Sequence, residues 1–173
     1  PSNDVLSKRI DALATLAMDE SPAKPRLITL TPNGLLQRLP GRDAMAGQVR
    51  RLAPGQRISM EELSGWLAGN GFERTPTVRD TGEYAVRGGI LDLYSPGALE
   101  PVRLDFFGDT LESIRSFDIA SQRSADRLGT FSLAPMSEVT LDPGTIARFR
   151  KNYLSTFGAA TREDALYSSV SEG

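Results

Sequence analysis

The first part of the chain changes its hydrophobic period from that of a helix to that of a strand. Leu6, Ile10 and Ala17 fall on one helical face, which predicts a helix over 3–18. The next stretch, RLITLTP at 26–32, predicts a short buried strand, and NGLLQRL after it predicts a short helix or turn. Because one strand cannot bury both of its faces alone, this opening is typical of one part of an α/β lobe.

The centre of the chain has the period of an antiparallel sheet behind one helix. Ser59 and Glu62 form a capping box, and the apolar stripe after it, with Trp66 expected to be buried, predicts a helix at 60–69. Strand-like segments follow at 72–78, 82–87, 90–94, 101–107 and 111–117. This order predicts an α+β fold, an antiparallel β-sheet module with a packed helix, with one sheet face open to water.

The last part of the chain predicts fewer elements. Turn-rich connections begin at 118, and TFSLAP at 130–135 predicts one more strand. A stripe of Ile146, Phe149 and Tyr153 predicts a helix at about 143–157, and the tail after it begins a further helical pattern.

Two of the central strands each carry an arginine in mid-strand. Alternation places Arg87, Arg103 and Asp105 on one face with Phe107 beside them, and Arg74 is a candidate for the same face. The opposite, core-facing set is Tyr84, Val86, Val102 and Leu104. We therefore expect Arg87 and Arg103 to be accessible to solvent, so that removing them leaves the core intact.

Two interpretations of this arginine face stay open. The charges could simply face water, with a cross-strand Arg–Asp pair that stabilises the sheet by a few tenths of a kcal/mol. Alternatively, the face could bind a partner, because arginine and aromatic residues are enriched at protein interfaces.

The composition excludes several kinds of chemistry. The chain has no Cys and no His, which removes disulfides, thiolate metal sites, Ser-His-Asp triads and imidazole bases. The densest acidic group, Asp105, Asp109 and Glu112, does not match a calcium-loop spacing, so we interpret it as strand-end and turn residues. No Gly-Lys pair of a phosphate-binding loop is present. We therefore predict no catalytic residue, metal or cofactor, and no enzyme activity for this stretch.

The charge and hydropathy patterns bear on partners and location. No apolar run is long enough to span a membrane and no secretory signal opens the sequence, which favours the cytoplasm. The formal net charge is −2, which is unlike a typical nucleic-acid binder. A basic stretch around Arg50, Arg51 and Arg57 nevertheless supports an alternative function, direct binding to the DNA backbone with affinity that falls steeply with salt.

The segment 82–124 carries a family resemblance. Its stretches EYAVRGGILDLYSP and VRLDFFGDTLESIR resemble the signature shared by the nucleotide-excision-repair protein UvrB and the transcription-repair-coupling factor Mfd. Of these two families, Mfd is the more similar, because LITLTPNGLLQRLP, PGQRISMEELSGWLAGNGFERT and FDIASQRS also resemble its segments.

The resemblance implies a docking role. In both families this β-rich module is inserted in a degenerate, partial α/β helicase-like lobe and binds the UvrA protein. The residues at the implied UvrA contacts, with Phe107 added as their neighbour, are Arg74, Arg87, Arg103 and Asp105. UvrB carries a further arginine where this chain has Ala85, so we expect Ala85→Arg to restore that contact.

The resemblance also implies how the chain is divided. Residues 1–38 would be the first part of the lobe, 39–124 the UvrA-binding module, and 125–173 the return into the lobe. The implied function is a protein-docking fragment that recruits UvrA to stalled RNA polymerase for nucleotide excision repair, with RNA polymerase and DNA contacted only by other modules. The full-length relative is an ATP-dependent DNA translocase, and its motor motifs lie outside this stretch.

Overall fold

The structure, a computed structural model, describes residues 3–18, 27–139, 143–158 and 164–172. Its helices are α1 Asn3–Met18, α2 Pro32–Leu36, α3 Arg42–Gln48, α4 Met60–Gly69, α5 Pro143–Phe157 and α6 Ala165–Glu172. Its strands are β1 Arg50–Leu52, β2 Glu73–Arg74, β3 Glu83–Arg87, β4 Ile90–Leu93, β5 Val102–Phe107, β6 Thr110–Phe117, β7 Ser124–Arg127 and β8 Phe131–Leu133. The chain divides into two compact units, Pro1–Glu138 and Val139–Gly173.

The first unit is built on a six-stranded sheet with the order β2-β3-β4-β5-β6-β7. Neighbouring strands are antiparallel except β2 and β3, which are parallel. A separate two-stranded antiparallel sheet joins β1 to β8. The predicted α+β fold is therefore confirmed. The sequence pattern misses β7 because all four of its residues are exposed, which leaves no apolar alternation to detect.

The main core lies between α4 and one face of this sheet, which we call the inner face. Leu63 and Leu67 of α4 have no solvent exposure, and Trp66 is partly buried against the same cluster. The central strands contribute Tyr84, Leu91, Leu93, Val102, Leu104, Leu111 and Ile114. Since burying an aliphatic side chain of this size stabilises a protein by about 1.5–3 kcal/mol, this layer supplies most of the apolar stabilisation of the sheet. The predicted inner face is confirmed.

A smaller apolar cluster joins α1 to α3. Its buried members are Ile10, Ala14, Ala17, Met45 and Ala134. The predicted helix at 3–18 is confirmed as α1. The sequence pattern does not predict α3, because RDAMAGQ is seven residues long and too short to show a helical period.

The strand predicted at 26–32 is wrong over its described part, in which Pro32 begins α2 and residues 27–31 precede it. These residues form no strand, and Leu27, Ile28 and Leu30 are 91%, 55% and 64% exposed. A strand needs a neighbour to satisfy its backbone N–H and C=O groups, and none of the described strands pairs with this segment. Residue 26 lies outside the described residues. The helicase-like lobe and the three-part division of the chain stay predictions, whereas the short helix after this segment is confirmed as α2.

The second unit is a pair of helices in contact through aromatic side chains. The ring centroids of Phe149 and Tyr153 on α5 lie 5.1 Å apart, and Tyr167 on α6 lies 6.2 Å and 5.7 Å from them. The predicted helix at about 143–157 is confirmed as α5. Among the helices that the structure describes in either unit, none combines the length and the apolar composition needed to cross a bilayer.

Helix α4 begins at the predicted N-cap, Ser59, but the return bond from the Ser59 N–H to the Glu62 side chain, the other half of the predicted capping box, is not among the hydrogen bonds of the described residues. The Ser59 hydroxyl oxygen accepts a hydrogen bond of 3.0 Å from the backbone N–H of Glu62. The Glu62 carboxylate pairs with Arg50 of β1, at 3.1 Å. The Glu62–Arg50 pair joins the first turn of α4 to the two-stranded sheet. The start of the helix is therefore stabilised both by its N-cap and by a contact with β1.

Removing the cap is expected to destabilise the first unit. Ser59→Ala leaves the N–H of Glu62 without its acceptor and should lower the free energy of unfolding by about 1 kcal/mol. Ser64→Ala, in the middle of the same helix, is the matched control and should be neutral or slightly stabilising, because Ala has the higher helix propensity. Urea denaturation of both variants checks this, and equal stabilities would contradict the capping role.

Candidate functional site

The strand register places the charged residues of the central sheet in two rows on one face, which we call the outer face. Residues in direct cross-strand register project to the same side of a sheet. The first row is Ala85, Asp92, Arg103 and Arg115. The second row is Arg87, Ile90, Asp105 and Ser113. Sequence alternation therefore predicts correctly that Arg87, Arg103 and Asp105 share the face opposite the core.

A fully buried carboxylate, Asp92 of β4, lies at the centre of this face. Its side chain has no solvent exposure. Its Oδ1 accepts a hydrogen bond from Arg103 Nε at 2.7 Å, and its Oδ2 accepts one from Arg103 Nη2 at 2.9 Å. The same Oδ2 accepts a hydrogen bond from Arg87 Nη2 at 2.5 Å. One carboxylate thus pairs with two guanidinium groups that come from the strands on either side.

Arg103 is held on several sides. Its Nη1 donates to the carbonyl oxygen of Gln122 at 3.3 Å and to Ser124 Oγ at 3.1 Å, and its guanidinium lies 5.0 Å from the centre of the Phe117 ring. The hydrogen bond to Asp92 raises the pKa of Arg103 above its ordinary value. Its side chain is only 14% exposed. The expectation that Arg103 is accessible and dispensable for the core is therefore wrong, because it neutralises a buried charge.

Arg87 is in a different position. Its side chain is 49% exposed, and one NH2 group is bonded to Asp92. No other acceptor for its guanidinium is present among the described residues, so its remaining N–H groups face solvent. For Arg87 the expected accessibility to solvent is confirmed. In addition, one terminal nitrogen of its guanidinium is fixed by the bond to Asp92.

Asp105 also has partners within the sheet. Its Oδ2 accepts hydrogen bonds from Arg115 Nη2 at 2.7 Å and from the hydroxyl of Ser113. The side chains of Asp105 and Arg115 are 24% and 33% exposed. These contacts join β5 to β6 and engage the Asp105 carboxylate inside the sheet.

The two remaining candidates lie in different places. Phe107, the last residue of β5, is 76% exposed. It stands at the same end of the sheet as Arg87, because β3 ends, β4 begins and β5 ends there. Arg74 is exposed on β2 but is in register with Tyr84, so it lies on the side of the inner face. The structure therefore brings Arg87 and Phe107 to one end of the outer face and does not bring Arg74 there.

The other end of the outer face is covered by loops. Ala85 is 1% exposed and packs with Val78 and Phe117. The Gln122 side-chain amide donates to the carbonyl of Val78 at 3.2 Å, which joins the two loops that contain these residues. Gln122 itself has a φ of 58°, a left-handed conformation that is uncommon for a residue other than glycine. The expectation that an arginine could be added at Ala85 is contradicted, because that position is closed.

The basic stretch of the alternative interpretation is partly engaged inside the protein. Arg50 pairs with Glu62 and lies 5.3 Å from the Trp66 ring centre. Arg51 and Arg57 are exposed. DNA binding by this stretch stays a prediction. No group of three or more possible metal ligands occurs in the described parts of the chain.

Sequence analysis did not identify Asp92 or Arg115 as members of the site. The signal for Asp92 was present: it is an acid in the otherwise apolar run ILDL, in phase with the arginines. A charge at such a position in a strand with buried neighbours indicates a buried ion pair. Arg115 has no comparable signal, because its pairing with Asp105 depends on how β5 and β6 are aligned.

The chain is similar over its whole length to curated proteins named transcription-repair-coupling factor, which confirms that resemblance. It is 35% identical to the protein of Rickettsia bellii (strain RML369-C) and 34% identical to that of Escherichia coli (strain K12), with 100% of this chain covered in each case. It is 37% identical to the protein of Myxococcus xanthus over 86% of this chain. The chain spans only 15%, 15% and 12% of the lengths of these relatives.

A family profile identifies the region that holds the site. The profile described as UvrB interaction domain matches residues 51–139. This range is just over half of the chain, and it contains both rows of the outer face and the loops that cover one end of it. The chain therefore belongs to the UvrB interaction domain family.

Proposed function

We propose that this chain is a protein-docking segment of a transcription-repair-coupling factor and that its outer face binds UvrA. The family description and the names of the relatives support this proposal. In a longer protein the docking would recruit UvrA to stalled RNA polymerase for nucleotide excision repair. Contacts with the polymerase and with DNA would belong to other modules.

The observation that carries the proposal is the open end of the outer face. There Arg87 presents unused N–H donors, and Phe107 presents an aromatic ring that is 76% exposed. Arginine is enriched among the residues that contribute most to binding at protein interfaces, and phenylalanine is enriched at interfaces relative to the rest of the surface. A guanidinium also matches a carboxylate in geometry, so the surface fits a partner that offers an acid beside an apolar pocket.

The other candidates on this face contribute in a different way. Arg103 and Asp105 have their principal bonds inside the sheet. We infer that they hold the docking surface in shape, and that direct contact falls mainly on Arg87 and Phe107. The role of Arg74, on the other side of the sheet, stays a prediction.

Removing Arg87 is expected to impair binding without unfolding the protein. Arg87→Ala should weaken UvrA binding about 30-fold, because the carboxylate that it meets would be left unpaired in the interface. The melting temperature should change little, since Arg103 still neutralises Asp92. Alanine is preferable to glutamate here, because Arg87→Glu would place a second carboxylate beside Asp92.

The measurement is a titration of UvrA with each variant by calorimetry, with the fold checked by circular dichroism. The matched control is Arg79→Ala, since Arg79 is exposed on the preceding loop. If Arg87→Ala and Arg79→Ala both bind as tightly as the wild type, the outer face is not the docking surface.

Removing Arg103 is expected to act on stability instead. Arg103→Met keeps an unbranched side chain against Phe117 but leaves Asp92 with a single, half-exposed partner. Breaking a buried ion pair from one side should lower the free energy of unfolding by about 3 kcal/mol. Urea denaturation measures this, with Arg79→Met as the control. A loss no larger than that of the control would show that Asp92 does not need Arg103.

Adding an arginine at the closed end is expected to destabilise the protein. Ala85→Arg must displace Val78 or Phe117, and overpacking of this kind typically costs about 1–3 kcal/mol. Ala125→Arg, on the exposed edge strand β7, is the matched control and should leave the denaturation midpoint unchanged. A fully stable Ala85→Arg variant would mean that the loops open readily, and that the docking surface extends over this end.

A further inference from the structure

We propose that Asp92 is a positioning residue for docking, which fixes one arm of Arg87 so that its other N–H groups are presented to a carboxylate of the partner. The inference rests on the proposed function, since it concerns the same face. It adds a residue that no partner can touch, because the Asp92 side chain has no solvent exposure.

The distribution of charge supports this role. Asp92 carries one negative charge and its two partners, Arg87 and Arg103, carry one positive charge each. The trio therefore has a surplus of one positive charge. The Arg103 side chain is 14% exposed, whereas the Arg87 side chain is 49% exposed. The surplus charge is thus presented at the surface by Arg87, where it favours an acidic partner.

The geometry also limits the motion of Arg87. Arg87 is the last residue of β3 and precedes Gly88 and Gly89. An arginine at such a strand end would otherwise lose much rotamer freedom when a partner binds. The bond to Asp92 Oδ2, at 2.5 Å, removes part of that freedom before binding. Asp92 is in turn fixed by two bonds from Arg103, so the anchor itself is rigid.

A double-mutant cycle on UvrA binding tests the proposal. In the wild-type background, Asp92→Asn should weaken binding about tenfold or more, because Asn keeps the shape but loses the charge that holds Arg87. In the Arg87→Ala background the same substitution should change the affinity less than about twofold, because its target is gone. The control is Glu62→Gln on α4, which also breaks an Arg–carboxylate pair, that of Arg50, but on the side of the inner face. This variant should leave binding unchanged.

The outcomes separate the two proposals. Equal losses from Asp92→Asn in both backgrounds would overturn the positioning role, because Asp92 would then act independently of Arg87. No loss from Arg87→Ala itself would overturn the proposed function and the positioning role together. Arg87→Lys adds a check on geometry: it keeps the charge but lacks the planar fork, so binding as tight as the wild type would also overturn the positioning role.

A second measurement does not need Asp92→Asn to fold. In the wild-type chain without UvrA, side-chain ¹⁵N NMR reports how fast each guanidinium group rotates. Arg87 should rotate more slowly than exposed Arg79, because one of its NH2 groups is bonded to a buried carboxylate. Equal rates for Arg87 and Arg79 would show that Asp92 does not hold Arg87, and would overturn the proposal.

Discussion

The buried carboxylate of Asp92 is the constraint on which the outer half of the structure depends. An ionised group without solvent exposure costs several kcal/mol unless it is paired and hydrogen-bonded. Its two partners come from the strands on either side, so satisfying Asp92 ties β3, β4 and β5 together independently of the apolar layer beneath. Arg103 then extends the network to the backbone of Gln122 and the hydroxyl of Ser124, which orders the connection before β7.

This network and the loops that it orders limit how much of the outer face is open to solvent. A sheet with one face on the core ordinarily leaves the other face to water. Here one end of that face is closed by loops over Ala85, and the other end has a half-exposed Arg87 and an exposed Phe107. Because the closed end excludes a partner, the docking that we propose is confined to the open end. That is a small surface, in which a few well-positioned side chains matter more than area.

The sequence predicts those helices and strands that are buried on one side, because their apolar residues then recur every 3.6 or every two positions. Helix α4 and strands β3 to β6 have that property, as does the arginine face itself. The burial of Arg103 could not be predicted in this way, because alternation indicates which face of the sheet a residue lies on and not how exposed its side chain is. The burial of Arg103 depends on the loop that contains Gln122, and nothing in the local sequence predicts the left-handed backbone of that residue. The segment 27–31 shows the opposite case, since its strand-like composition has no pairing neighbour in the described chain.

The separation of roles within the arginine pair follows from depth alone. Two guanidinium groups that bind one carboxylate are chemically alike, but the more buried one loses its contact with water. It must replace those lost hydrogen bonds with hydrogen bonds inside the protein. Arg103 does so through Asp92, Gln122 and Ser124. The shallower Arg87 stays half exposed, so it is accessible to a carboxylate of a partner, with which it can form charge-assisted hydrogen bonds. An alternating strand pattern thus places two arginines on one face, and the local cover decides which supports the fold and which is available for recognition.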